Sequence, residues 1–435
     1  MFIKLKKPFL YFILIALVIY VVFFAKLWLP QNLIWGSDLE YKHFPSRWYL
    51  YQQIIEFGRF PFWTEKMFGG FKIFADSELG FLNPINLITL LIFGPAWSIK
   101  ILHLIGFLAG SFSFYLLSKR KESGVWGFIF SITIFYGSFF LINHLIHLNL
   151  IMIAYLIPLN LLLSDLMIES IRSNVHRRIF LYIFLNSLIF ALGFLWGHYQ
   201  TSLFVIIIIS IYSFSIIGFQ NKTILFKTLF SIFLIGISSI IISLPQTYPT
   251  YKLYIQSERI KSDEINVFEG SYTPSLSILL IYPQIWGDFE GFFGKTYNGD
   301  YSYTEFYNYL GISVLALSFF ILIFTKYDWY FRYFVYSYFI FVFFAFIAFM
   351  PFMSENFPIL SGFRYWVRSV IVIITALSLL SFKVTDLFNP QKREFDIIKI
   401  IFKLMILIVP AIYLLIAQTL NPNDVFNYNV FETIY

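Results

Sequence analysis

Long apolar runs separated by short polar breaks recur along the whole chain. Runs at residues 8–29, 97–117, 125–141, 150–168, 179–196, 229–244, 307–324 and 400–420 all lie near the length of about 20 residues that an α-helix needs to cross a bilayer. They are continuous, without the period-two alternation of a transmembrane barrel strand. The pattern predicts an all-α polytopic membrane protein. Residues 1–435 form a single integral membrane domain with about eleven transmembrane helices. The first run follows Lys4, Lys6 and Lys7 and has no small-residue cleavage site, so it reads as a retained anchor with the N-terminus inside.

The same positive-inside logic assigns the breaks at Lys119-Arg120-Lys121, Arg172 to Arg178, Lys222 to Lys227, Lys326 to Arg332 and Lys383 to Lys399 to the inner side. Two long polar segments then lie outside, residues 30–84 and 245–306. The first is expected to carry an interfacial amphipathic helix at residues 46–57, where Trp48, Tyr49, Tyr51 and Gln52 mix rings with polar groups. Residues 85–93 are apolar but too short to span, and read as re-entrant or interfacial.

Composition narrows the chemistry. The chain is 59% hydrophobic and 22% aromatic, with a mean hydropathy of +0.75. Its net charge of +7 is spread over short loops, which fits membrane topology and not a nucleic-acid surface. The absence of cysteine excludes disulfides and thiolate chemistry. No P-loop, dinucleotide fingerprint or zincin motif occurs.

Against this background, the stretch Trp35 to Pro45 holds Asp38, Glu40 and His43. On an extended backbone two acids at i and i+2 face the same side, and on a helix they diverge. One carboxylate can then serve as a general base while the other meets a cation or a metal ion. The plain alternative is two solvated acids beside Lys42 and Arg47. His144, His147 and His198, with Gln200, cluster at helix mouths, where they suit sugar hydroxyls, a metal ion or ordinary interfacial packing. Arg364 and Arg368, spaced i and i+4, would share a helix face and suit a phosphate or a structural acid.

The order of motifs resembles a known family. Gly36-Ser37-Asp38 and Pro45 are followed by Gly58-Arg59-Phe60-Pro61-Phe62-Trp63, Gly69-Gly70 and Asn83-Pro84-Ile85-Asn86. Then come Gly197-His198-Tyr199-Gln200, Pro245-Gln246-Thr247-Tyr248-Pro249 with Arg259, Tyr309-Leu310-Gly311, and Phe363-Arg364 with Arg368. Over most of residues 30–370 this resembles the YfhO-type bacterial membrane proteins, within the GT-C class of glycosyltransferases. The resemblance implies a sugar donor linked to polyprenyl phosphate and an acceptor that is a glycan, lipid or protein. It also implies a site on the extracytoplasmic face of the bacterial cytoplasmic membrane, contacting membrane lipids and no nucleic acid. Asp38 matches the family's catalytic acid, with Glu40 beside it. His43, His147, His198, Gln200, Gln246, Arg259, Arg364 and Arg368 are the expected substrate contacts. The resemblance fixes no cofactor and leaves a divalent cation open. Unlike longer members the sequence stops soon after the last span, which leaves acceptor recognition open or assigns it to another protein.

Two rival functions stand beside this one. A lipid or polysaccharide flippase would place ionisable groups in broken helices near the midplane. The spans read as nearly free of them, with Asp165 the nearest exception. A non-catalytic scaffold for envelope assembly would have similar loops.

Overall fold

The computed structural model describes residues 7–28, 38–67, 69–219, 221–257, 270–272, 274–283, 303–346, 363, 365–389 and 403. Among them the regular structure is helical. Extended pairing is limited to two isolated bridges, Thr64 with Phe71 and Tyr272 with Phe346. The chain divides into one unit of Met1–Gly137 with Leu141–Lys261 and a second of Ser138–Phe140 with Ser262–Tyr435.

The first unit begins with α1 (Lys7–Phe24). Phe12, Ala16, Tyr20 and Phe24 repeat every four residues and are buried, while Leu14, Val18, Val21 and Val22 are exposed. That is the stripe expected of a helix with one face on protein and one on lipid. The amphipathic helix of the first loop is α2 (Phe44–Ile55). α3 (Pro84–Arg120) is broken at Gly94, whose backbone has φ 71° and ψ 175°, with Pro95 following. The arm before the break is therefore short, in keeping with an apolar stretch that cannot span.

α4 (Gly124–Tyr136) and α5 (Phe139–Asn143) are followed by a tight turn, His144–Ile146, and the segments Gly124–Tyr136 and Phe139–Ile146 meet at 44°. Then come α6 (Leu148–Tyr155), α7 (Ile157–Arg172), α8 (His176–Leu195), α9 (Tyr199–Ile217) and α10 (Lys222–Gln256). On α10, Thr228, Ser231, Ser239, Ser243 and Gln246 are buried, while Phe226, Phe230, Phe233, Ile237, Ile241 and Leu244 are exposed. Small hydroxyl residues let α10 approach α8 closely, and the Ser239 hydroxyl donates to the Ser187 carbonyl at 3.0 Å.

The polar segment expected to leave the membrane at Pro245 remains helical to Gln256, although Pro245 and Pro249 both lie inside α10. Each proline removes one backbone donor, a loss that membrane helices tolerate when side chains compensate. The bonds lost are those to the Ile241 and Pro245 carbonyls, while the Thr250 hydroxyl adds a bond to the Gln246 carbonyl at 2.9 Å. Thirty-five residues give a helix of about 52 Å, well beyond a hydrocarbon core of about 30 Å. α10 is therefore longer than an upright crossing of the hydrocarbon needs.

In the second unit, α11 (Ile312–Phe324), α12 (Trp329–Ala345) and α13 (Val370–Leu380) are the main helices. Asp328 caps α12, accepting from the Tyr330 N–H at 2.9 Å, and takes the Lys383 ammonium at 2.7 Å. Among the described residues, six helices are long and apolar enough to cross a membrane, or seven if the bent α4–α5 pair is one span. α1 and α11 are apolar but shorter, and the expected span at residues 400–420 lies outside the described residues apart from Lys403.

Candidate functional site

The loop between α1 and α3 is built around a small core of Leu50, Ile73, Leu79, Phe81 and Leu90. Its start is not extended. Asp38 has φ −69° and ψ −34°, and Leu39–His43 winds into a wide helical turn closed by the Phe44 N–H on the Leu39 carbonyl. Pro45 lies in the first turn of α2, where its missing donor costs nothing. Helical winding separates Asp38 from Glu40, so the paired-carboxylate geometry does not form there. The Asp38 side chain is half exposed, and its Oδ2 lies 3.6 Å from Nε2 of His147. Glu40 makes no ion pair with any described residue.

The cations next to these acids in sequence pair elsewhere. The Lys42 ammonium lies 3.4 Å from Asp76 and closer still to Glu78. Asp76 has an extended backbone, with ψ 96°, and its carboxylate also accepts the Glu78 N–H at 3.1 Å. This second acid pair, Asp76-Ser77-Glu78, converges on one cation. Burial alone would lower the Lys42 pKa, but Glu78 and then Asp76 outweigh it and hold the ammonium above its ordinary value. Burial raises Asp76 against the pull of Lys42. The sequence does repeat an acid-x-acid spacing at 76–78, and that repeat was the available signal for a pair that reading by position overlooked.

Arg47 is fully buried on α2 and donates to Oδ1 of Asn86 and, at 2.6 Å, to the Ser98 hydroxyl. It has no carboxylate partner among the described residues, and burial lowers its pKa to about 9. His43 is also buried. Desolvation, reinforced by Lys42, lowers its pKa to about 3, so its imidazole is neutral.

Segments far along the chain clamp the loop. Gly197 has φ 74°, and a Cβ there would lie 2.3 Å from the Ser77 backbone, so only glycine allows the approach. Trp196 covers Gly80 in the same way. The Asn83 amide donates to the Leu192 carbonyl at 3.0 Å, and the Gln246 amide donates to the Phe74 carbonyl at 2.9 Å. Gln246 thus ties α10 to the loop. Gln200 is buried with its Nε2 unmatched. His198 caps α9, with Nδ1 accepting from the Thr201 N–H and lying 2.7 Å from the Thr201 hydroxyl.

In the second unit, Arg368 presents its fork to buried Glu305, with Nε 2.8 Å from Oε2 and Nη2 on Oε1, and its guanidinium lies over the Tyr365 ring. Its acid partner within this unit is Glu305. Tyr365 is left-handed, with φ 55°, so no helix runs from 364 to 368 and the shared-face argument for that arginine pair fails. Arg259 and Arg364 lie outside the described residues.

Within the apolar helices, Asp165 takes Arg120 at 2.7 Å, Lys121 at 2.5 Å and the Tyr212 hydroxyl at 3.0 Å. The spans hold more ionisable groups than hydropathy suggested. Lys100 and His103 are buried on α3 just past its break, with Lys100 over the Trp97 ring and His103 Nδ1 3.3 Å from the Tyr155 hydroxyl. No family model, curated protein or solved structure matches the chain.

Proposed function

We propose that this protein is a GT-C-like membrane glycosyltransferase of the YfhO type. It would move a sugar from a polyprenyl-phosphate carrier to an envelope acceptor on the outer face of the cytoplasmic membrane. The observation that carries the reading is Asp38, a half-exposed carboxylate fixed on a helical turn and 3.6 Å from a buried histidine, in the first loop after α1. In this mechanism Asp38 accepts the proton of the acceptor hydroxyl as that oxygen attacks the anomeric carbon. The bond from that carbon to the phosphate oxygen breaks, and the lipid phosphate leaves as an anion. Glu305 already occupies the Arg368 fork, so the leaving anion needs another cation, and Arg364 remains assigned to it. Purified protein in proteoliposomes carrying radiolabelled polyprenyl-phosphate sugar tests the reading. Transfer by the native chain and its loss in Asp38→Asn are expected, and full turnover by Asp38→Asn would overturn it.

One observation favours a second reading, lipid translocation. α3 is broken at Gly94 and holds buried Lys100 and His103 beyond the break, which is the arrangement expected of a transport path. The same vesicles separate the two readings. A translocase moves labelled carrier between leaflets without forming a glycosidic product.

A further inference from the structure

We infer that His144, His147 and Asp38 form a binding site for a divalent transition-metal ion. The sequence sets up the donors. His144 and His147 sit at the two ends of a single tight turn, His144–Ile146, wound at about three residues per turn, so side chains at i and i+3 eclipse one another. The two imidazoles lie with ring centres 5.1 Å apart at 47°, and their donor nitrogens come within 4.8 Å. Both are buried, His144 completely. Asp38 adds a carboxylate oxygen 3.6 Å from His147 Nε2.

The chemistry of this set selects the ligand. Two imidazoles and one carboxylate suit Zn²⁺, Mn²⁺, Fe²⁺ or Co²⁺, which take nitrogen and oxygen donors at about 2.0–2.2 Å. Donors about 3–3.5 Å apart can share such an ion. The Asp38–His147 separation therefore needs only a few tenths of an ångström of closure, and the two imidazoles need a modest rotation. An anion is disfavoured, because the Asp38 carboxylate would face it directly. The neighbouring acids Asp76 and Glu78 do not compete, since Lys42 occupies them. Exposure at Asp38 leaves the remaining coordination positions to water. One Asp38 oxygen suffices for the ion, so the site stands whether or not the chain transfers sugar.

Full-length protein in detergent, stripped with a chelator and titrated with Co²⁺, tests the inference without any turnover. One equivalent giving a visible ligand-field band, displaced by Zn²⁺, is expected. His144→Ala and His147→Ala should each weaken binding at least tenfold and Asp38→Asn several-fold, while His176→Ala should leave it unchanged. X-ray absorption on the native protein loaded with Zn²⁺ reads the same point without relying on a variant's folding. Scattering from two imidazoles is expected, and none would overturn the site. Co²⁺ binding that survives the double His144→Ala/His147→Ala variant would also overturn it.

Discussion

The first loop contains the same short pattern twice, Asp38-Leu39-Glu40 and Asp76-Ser77-Glu78, and the two behave differently. The first is wound into a helical turn, so its acids diverge, and Asp38 is left half exposed beside His147. The second starts from an extended residue, and both acids close on Lys42. An acid pair that shares a cation is held in place by it and serves as a brace. An acid with an open face can exchange a proton or take a ligand. Backbone conformation, more than spacing, therefore separates the two patterns.

The contrast can be broken most decisively at Asp38. Asp38→Asn should cut sugar transfer by about 10²–10⁴-fold with unfolding unchanged, as read by product formation and thermal melting on one preparation. Second in size is acid sensitivity at His43. Its folded pKa of about 3 lies below the unfolded value of about 6.5, so it adds no penalty above pH 6.5. Below that the unfolded chain binds the extra proton, and stability falls by about 1.4 kcal/mol per pH unit until the folded pKa is reached. Between pH 6.5 and 4.5 the native protein should lose about 2–3 kcal/mol more than His43→Gln does, measured by denaturant titration.

The brace should show a comparable but smaller effect. Lys42→Met leaves two acids facing each other and should cost about 2 kcal/mol. Fully buried pairs typically cost about 3–5 kcal/mol, and water reaches Lys42 and Glu78. Glu40→Gln sharpens the comparison at its weak end. It should change unfolding by less than about 0.5 kcal/mol and transfer by less than about tenfold. A loss equal to that of Asp38→Asn would show that the two acids act together.

Much of the membrane architecture was legible because lipid imposes continuous apolar runs and leaves no choice of element. α2 was legible from its mixed aromatic and polar face, and the short arm before Gly94 from its length. What stayed hidden depended on distant partners. Nothing local to Lys42 points to Asp76 and Glu78, and nothing local to Arg368 points to Glu305. Pro245 and Pro249 suggest a loop, but α10 continues as a helix through both. The i, i+4 reading of Arg364 and Arg368 assumed a helix that left-handed Tyr365 interrupts. Lys100 and His103 were submerged in an apolar average, although each is a single costly residue.

The clamp from Gln246 to Phe74 also has a consequence in time. Its two residues are 172 positions apart, and the Asn83–Leu192 contact spans 109. At a synthesis rate of about 5–20 residues per second, the loop leaves the ribosome about 10–30 s before its last clamp exists. During that interval Asp76, Glu78 and Lys42 can find one another and Phe74 can pack on Phe60 and Phe62, but the bond from Gln246 to its carbonyl does not yet exist. The loop is therefore finished late, by helices made long after it. A chain stalled before α10 should expose residues 69–83 to protease, and a completed chain should protect them.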